Sequence, residues 1–283
     1  MSFTNLRTGA GYTQAAGAFT PEDFGGLVDV AVKADSVLAR TFTAASTDKD
    51  SVRYPKLVSM PDVAHYQELE TVALADPTTS EVVVPIFRTA GAHKSSRELA
   101  NDSTPDTAEM VARVLVNQII RSVDTSGLGN TTANGPDGLL STSYSTVDVA
   151  SVANLDQFID AIYASEAVEG SVTSWIMKPA TAQAILKLKK LSTGSNESLI
   201  GFTESGNLSI AGRPVVVSPL VDADTFAWGV SGSHNVLVTR TGTTVERSKE
   251  VNFLDYALVI MANYRYGVGF LHEAANVRIW NQP

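Results

Sequence analysis

The segment that most constrains this chain is one that cannot hold itself together. "SVRYPKLVSMPDVAHYQELETVALADPTTSEVVVPIFRTAG" runs from Ser51 to Gly91. Val52, Tyr54 and Leu57, then Val63 and Tyr66, favour extended backbone. Pro55, Pro61, Pro77 and Pro85 forbid a central strand ladder and suit edge strands and turns. The implied shape is a long, charged, two-stranded excursion. Such a hairpin is marginally stable in water at best, so something outside it must hold it.

The flanks have the same character on one side and the opposite on the other. Met1 to about Thr20 is rich in Gly, Ala, Thr and Gln without periodicity, and reads as a flexible arm that needs a partner to become ordered. "PEDFGGLVDVAVKADSVLARTF" turns helical after Gly26, with Thr20 as cap, Pro21 at the first helical position and Glu22 and Asp23 at the positive end. Beyond the hairpin comes the strongest helix. Thr104 caps it, Pro105 suits its first position, and Asp106 and Glu109 lie in the first turn. Val111, Val114, Leu115, Ile119, Ile120 and Val123 recur at helical spacing. A helix from Pro105 to Ser126 would be roughly 33 Å long at about 1.5 Å per residue.

"GLGNTTANGPDGLL" follows, with Gly127 where a left-handed terminating residue is expected. A phosphate cradle places its glycines ahead of a helix, at the positive end; these come after one, at the negative end, and so form a stop and a loop. From Val147 helix and strand alternate. "VANLDQFIDAIYASEAVEG" reads as helix, "SVTSWIMKP" as strand and "PATAQAILKLKKL" as helix. "TGSNESLIGFTESGN" reads as a loop, and "LSIAGRPVVVSPL" as a strand pair or a kinked strand. The short strands "TFAWGV", "NVLVTR" and "TTVERS" come next, and long closing strands occupy "DYALVIMANYRYGVGFLHEAANVRIW".

Composition narrows the chemistry. With 283 residues, 44% apolar and 18% charged, the chain is globular and large enough for a core. It has no cysteine, which removes disulfides, thiolate metal sites and thiol nucleophiles. No apolar run is long enough to span a membrane, and no signal peptide opens the chain. The formal charge of −9 disfavours tight nucleic-acid binding, and "KLKK" at Lys187 to Lys190 reads as a solvated helix face.

The candidate chemical motifs resolve into structural readings. His65, His93, His234 and His272 lack metal-ligand spacing. "YGVGFL" at Tyr266 to Leu271 puts His272 where a dinucleotide fingerprint needs its third Gly, so its glycines read as places where backbones approach closely. "DADT" at Asp222 to Thr225 lacks the rest of a calcium loop and reads as a surface turn. Glu68 and Glu70 share one strand face and read as a charged edge that discourages wrong pairing. Arg97, Glu98 and Asp102 read as an ion-pair cluster at a helix start. No catalytic, cofactor-binding or metal site is expected.

In this order the parts resemble the major capsid proteins of tailed bacteriophages, with the Hong Kong 97-type α+β fold. Three local patterns carry the resemblance: Ser96-Arg97-Glu98-Leu99 with Asp102-Ser103 ahead of a spine helix, the exit Gly135-Pro136-Asp137-Gly138-Leu139-Leu140, and Ala211-Gly212-Arg213-Pro214-Val215-Val216. The resemblance implies an N-terminal arm at 1–45, an extended loop at 46–90, a peripheral domain at 91–146 and 241–283, and an axial domain at 147–240. It also implies a shell of hexamers and pentamers enclosing double-stranded DNA without specific binding, assembled in the host bacterial cytoplasm and located in the virion. A portal protein, and either a separate scaffolding protein or none, are the implied partners, with a decoration protein left open; no cofactor or membrane is. Candidate inter-subunit contacts are Arg53, Tyr54, Lys56, Tyr66, Glu68, Glu70, Arg97 and Glu98. About twenty residues precede the first helix, so no large maturation cleavage is expected. Lys49 and Lys56, with Asn263 and Asn276, match no cross-linking motif, and no cross-link is expected. Two alternatives stand beside this reading: an encapsulin-type compartment shell, and an α+β hydrolase or ligand-binding domain with an unrecognised site.

Overall fold

The computed structural model describes residues 36–59, 63, 65–67, 71, 78–98, 107–152, 154–190, 199–200, 208–240, 244–248, 250–251 and 254–282. The expectations for the arm before residue 36, for Glu68, Glu70 and Asp102, and for the Thr104–Pro105 helix start lie outside these residues.

The long helix α2 runs Thr107–Leu128, close to the span its periodicity predicts. Ala112, Ile119, Ile120, Val123 and Leu128 are buried along one face, while Val114, expected in the stripe, faces outward. Against that face lies β12 (Ala257–Phe270), the longest strand. Its alternate residues Leu258, Ile260, Ala262, Tyr264, Tyr266, Val268 and Phe270 are buried in the same cluster, as the period of two requires. The Tyr266 hydroxyl lies 2.6 Å from Ser126 Oγ and so fixes the helix lengthwise. β4 (Phe87–Ser96) pairs antiparallel along one edge of β12. β10 (Asn235–Arg240) and β11 (Thr244–Ser248) follow one another along the other edge. β1 (Thr43–Thr47) closes this five-stranded sheet, parallel to β10.

The short helix α1 (Val37–Thr41) is clamped to α2 by a buried carboxylate. Asp124 accepts from Ser36 Oγ at 2.6 Å and Val37 N at 3.0 Å, and from Leu38 N at 3.2 Å. Burial raises its pKa above the ordinary carboxylate value, against the lowering effect of these three bonds. Residues 36–41, inside the expected arm, are therefore fastened to the chain's own body. Gly127 does not terminate α2, which continues through Leu128. It makes room for α1 instead: a Cβ on Gly127 would fall inside the Leu38 side chain. After α2 the loop folds back, with Leu140 N donating to Gly129 O at 3.0 Å and Gly138 N to Asn130 O at 3.1 Å.

A second, six-stranded sheet has the order β5-β13-β9-β6-β8-β7. Its strands are β5 (Ser145–Asp148), β6 (Ser174–Met177), β7 (Ser209–Ile210), β8 (Arg213–Val217), β9 (Thr225–Val230) and β13 (Val277–Trp280). Helices α3 (Asp156–Glu166) and α4 (Pro179–Leu186) contribute Phe158, Ala161, Ile162 and Ile185 to its core, with Trp175, Met177, Val277 and Ile279. α4 stops at Leu186, so "KLKK" lies past the helix rather than on its face. "LSIAGRPVVVSPL" is a strand pair, turned at Ala211 (φ 50°) and Gly212 (φ 75°). β10 belongs with β12, whereas β13, near the C-terminus, sits between β5 and β9.

Arg278 of β13 is buried, and it ties the second sheet to its loops. It donates to Thr225 Oγ1 at 2.7 Å, the Tyr144 hydroxyl at 3.0 Å and Asp222 Oδ2 at 2.8 Å, and lies 4.2 Å over the Trp280 ring. The "DADT" turn thus supplies the counter-charge of a buried arginine, a role its sequence does not advertise.

Candidate inter-subunit surface

The excursion predicted from the sequence is a two-stranded sheet of its own. β2 (Ser51–Ser59) and β3 (Thr78–Pro85) pair antiparallel, with Ser51 opposite Pro85 and Tyr54 opposite Val82. Among the described residues each strand pairs with the other alone, which leaves an outer edge on both; Pro55 is tolerated on such an edge.

The hairpin is fastened at its root. Val84 is 1% exposed and packs with Val236 and Val238, against which Val52, Tyr54, Val82 and Ile86 lie partly buried. The "YGVGFL" glycines make this seat. A Cβ on Gly267 would collide with the Pro85 carbonyl, and one on Gly269 with the Val84 side chain. The close approach expected of these strand glycines is therefore what docks the hairpin. An Arg240–Asp50 ion pair and the Ile86 N to Asp50 O bond, 3.0 Å, complete the root. Farther out the apolar side chains stand in solvent: Val58 is 60% exposed and Val63 97%.

The candidate contact residues separate accordingly. Arg53 reaches Glu81 across the hairpin at 2.6 Å, with both side chains about half exposed, so its main effect is to stiffen the limb. Tyr54 turns toward the chain's own body. Lys56 is exposed and lines a cavity of about 650 Å³ between the hairpin and the body, with Glu169, His234 and His272 on the far wall. Tyr66 is half-buried. Arg97 is held within the chain, its Nε donating to Ala257 O at 3.2 Å and its guanidinium 5.3 Å over the Tyr256 ring, and Glu98 beside it is exposed.

A second exposed apolar group escaped sequence reasoning. Before β12, Val251 is 72% and Leu254 96% exposed, and Tyr256 holds φ 49° under Arg97. A Lys94–Asp255 ion pair braces this turn on β4. Met110 and Val114, near the start of α2, are also exposed. The short apolar string "VNFLDY" was the available signal, and strand periodicity hid it.

Among the described residues no group of three His, Asp or Glu is placed to hold a metal ion, and no helix is long and apolar enough to cross a membrane. The buried Asp124 is committed to its clamp.

Solved structures share this architecture over nearly the whole chain. The capsid of an empty GTA particle is 18% identical, with a TM-score of 0.72 covering 88% of this chain and 90% of that one. A structure from Mycobacterium phage Ogopogo is 16% identical, with a TM-score of 0.73 and coverage of 87% and 92%. One from Mycobacterium phage Adephagia is 12% identical, with a TM-score of 0.71 and coverage of 100% and 98%. These likenesses define the fold as the α+β architecture of Hong Kong 97-type phage capsids. The sequence profile of the phage capsid family matches residues 16–279, and the chain belongs to that family. It is a structural shell protein. No curated protein matches the sequence.

Proposed function

We propose that copies of this chain assemble as hexamers and pentamers into an icosahedral head that encloses double-stranded DNA. The observation that carries the reading is the β2–β3 hairpin, seated at its root, with both outer strand edges unpaired among the described residues and Val58 and Val63 in solvent. A neighbouring copy that covers this limb removes apolar surface from water and supplies partners for its edges. Lys56, Tyr66, Glu68, Glu70 and Glu98 are the contacts we assign to that neighbour, with Arg53 and Arg97 holding the limb and the Tyr256 turn in shape for it. The Val251–Leu254–Tyr256 turn presents a second apolar surface to other copies. In this reading 1–45 is the arm, 46–90 the extended loop, 91–146 and 241–283 the peripheral domain and 147–240 the axial domain, with β10 and β13 exchanged between the last two. The charge of −9 suits a wall that confines DNA without gripping it. Portal, separate scaffolding and decoration proteins are the partners of such a wall, which forms in the host bacterial cytoplasm and remains in the virion.

Expression of the chain alone and with its scaffold, followed by negative-stain electron microscopy, tests the proposal. Closed particles or capsomers are expected. A strictly monomeric protein at high concentration, with its hairpin ordered, would overturn it.

A further inference from the structure

We propose that Arg88 and Arg265 form a docking site for the carboxylates of Glu68 and Glu70 on the hairpin of a second copy, a contact that rests on the assembly proposed above. The two arginines stand directly opposite one another in the antiparallel β4–β12 pairing. Their Cβ atoms are therefore about 5 Å apart, and like charges so placed repel. Both residues are exposed, and among the described residues neither has an ion pair. Arg265 lies two residues before Gly267, where a Cβ would strike the Pro85 carbonyl, so the pair sits on the face of the sheet that seats the hairpin. Arg240 extends the row into β10. It follows Thr239, which stands opposite Tyr266, and shares the parity of Val236 and Val238, which pack with Val84. Asp50 answers the charge of Arg240 within the chain.

Two opposed arginines weaken an isolated chain, and carboxylates placed between them reverse the sign. Each guanidinium fork can take a carboxylate through two parallel N–H···O bonds. The complementary charge is in the same sequence. From Leu57 to Phe87 there is no Lys or Arg, whereas Asp62, Glu68, Glu70, Asp76 and Glu81 are all acidic. Arg53 meets Glu81 across the hairpin. Glu68 and Glu70 are two positions apart, so extended backbone would present them on one side, roughly 7 Å from each other, close to the spacing of the arginine pair.

The geometry of the hairpin assigns these acids to a different copy from the arginines. The β2–β3 ladder runs from the Ser51–Pro85 pair at the root to the Ser59–Thr78 pair, roughly 25 Å at about 3.3 Å per residue. Arg88 follows Pro85 by three residues and stays at the root, while the stretch that holds Glu68 and Glu70 joins the far end of the ladder. An acidic limb and a basic root are two different surfaces of one chain. A contact between them is head to tail, the kind that propagates from copy to copy and closes into rings.

Charge reversal in the full chain, with particles counted by electron microscopy, tests the contact. Arg265→Glu turns a repelling cross-strand pair into an attracting one, so the melting temperature below the assembly concentration is expected to rise. Particle yield is expected to fall at least about tenfold, because the incoming carboxylates now meet a glutamate. Stability and assembly thus move in opposite directions, which a merely structural role for the arginines does not produce. The double variant Arg88→Glu with Arg265→Glu is expected to lose particles as well, and adding Glu68→Arg and Glu70→Arg to it is expected to restore them. Normal yield from Arg265→Glu, whatever DNA the particles hold, would overturn this inference and leave the shell reading standing. So would a melting temperature that falls with the yield, or a fourfold exchange no better than the double variant. A wild type that forms no particles would overturn the shell reading and this contact together.

Discussion

At the scale of single residues, the most consequential contacts are those that fasten the residues before the hairpin to the long helix. Asp124 receives three donors from residues 36–38 at one buried point. Asp124→Ala leaves all three without a partner and is expected to cost about 3 kcal/mol, measurable by urea denaturation. The pH dependence has a definite sign. Burial raises the folded pKa above the ordinary carboxylate value of 3.8, so the folded chain holds this proton more tightly than the unfolded one. Relative to Asp124→Asn, the wild type is expected to gain stability as pH falls from the raised value to 3.8, and a pH series of unfolding midpoints checks it. Gly127→Ala sets two effects against each other. Helix propensity favours alanine by about 1 kcal/mol, but the new Cβ enters the space of Leu38, and overpacking of this kind costs about 1–3 kcal/mol. Net destabilisation is expected, read as a lower melting temperature. Sequence alone misassigned this glycine because a glycine after an apolar run suits a left-handed stop and a tight packing contact equally. Only the position of Leu38, nearly ninety residues away, distinguishes them.

At the scale of elements, the spine helix and the limb were legible for opposite reasons. α2 repeats its apolar residues at helical spacing, and burial of one face keeps that signal local. The hairpin announced itself through prolines that deny it neighbours. What periodicity did not reveal was its fastening, because Val84 meets β12 across about 180 residues, at a seat made by Gly267 and Gly269. Val84→Ala is expected to weaken the root by roughly 2 kcal/mol. Exchange protection should then fall in β2–β3 before it falls in β12. Arg53→Ala removes a half-exposed ion pair and is expected to change unfolding by less than about 1 kcal/mol. If it lowers particle yield nonetheless, the limb's shape rather than its stability is what assembly requires.

At the scale of the whole molecule, two sheets share one chain by exchanging strands. β10 leaves the segment of the second sheet to pair with β12, and β13 returns to lie between β5 and β9. Pairings between distant strands leave no local trace, which is why neither placement could be read from the sequence. For the same reason His234 and His272 looked scattered. Arg278 anchors the exchange. Arg278→Ala would strand the partly buried Asp222 and undo the contacts to Thr225 and Tyr144, and a loss of 3–5 kcal/mol is expected from chemical denaturation.

The placement of β13 also sets a timetable for synthesis. β5 leaves the ribosome long before its parallel neighbour, which follows about 130 residues later, on the order of ten seconds at common elongation rates. Throughout that interval an apolar sheet stands open on a nascent chain. Crowded polysomes, each carrying many such half-built sheets, are therefore where this protein is most exposed to mispairing, and where chaperone capture would have its greatest effect on yield.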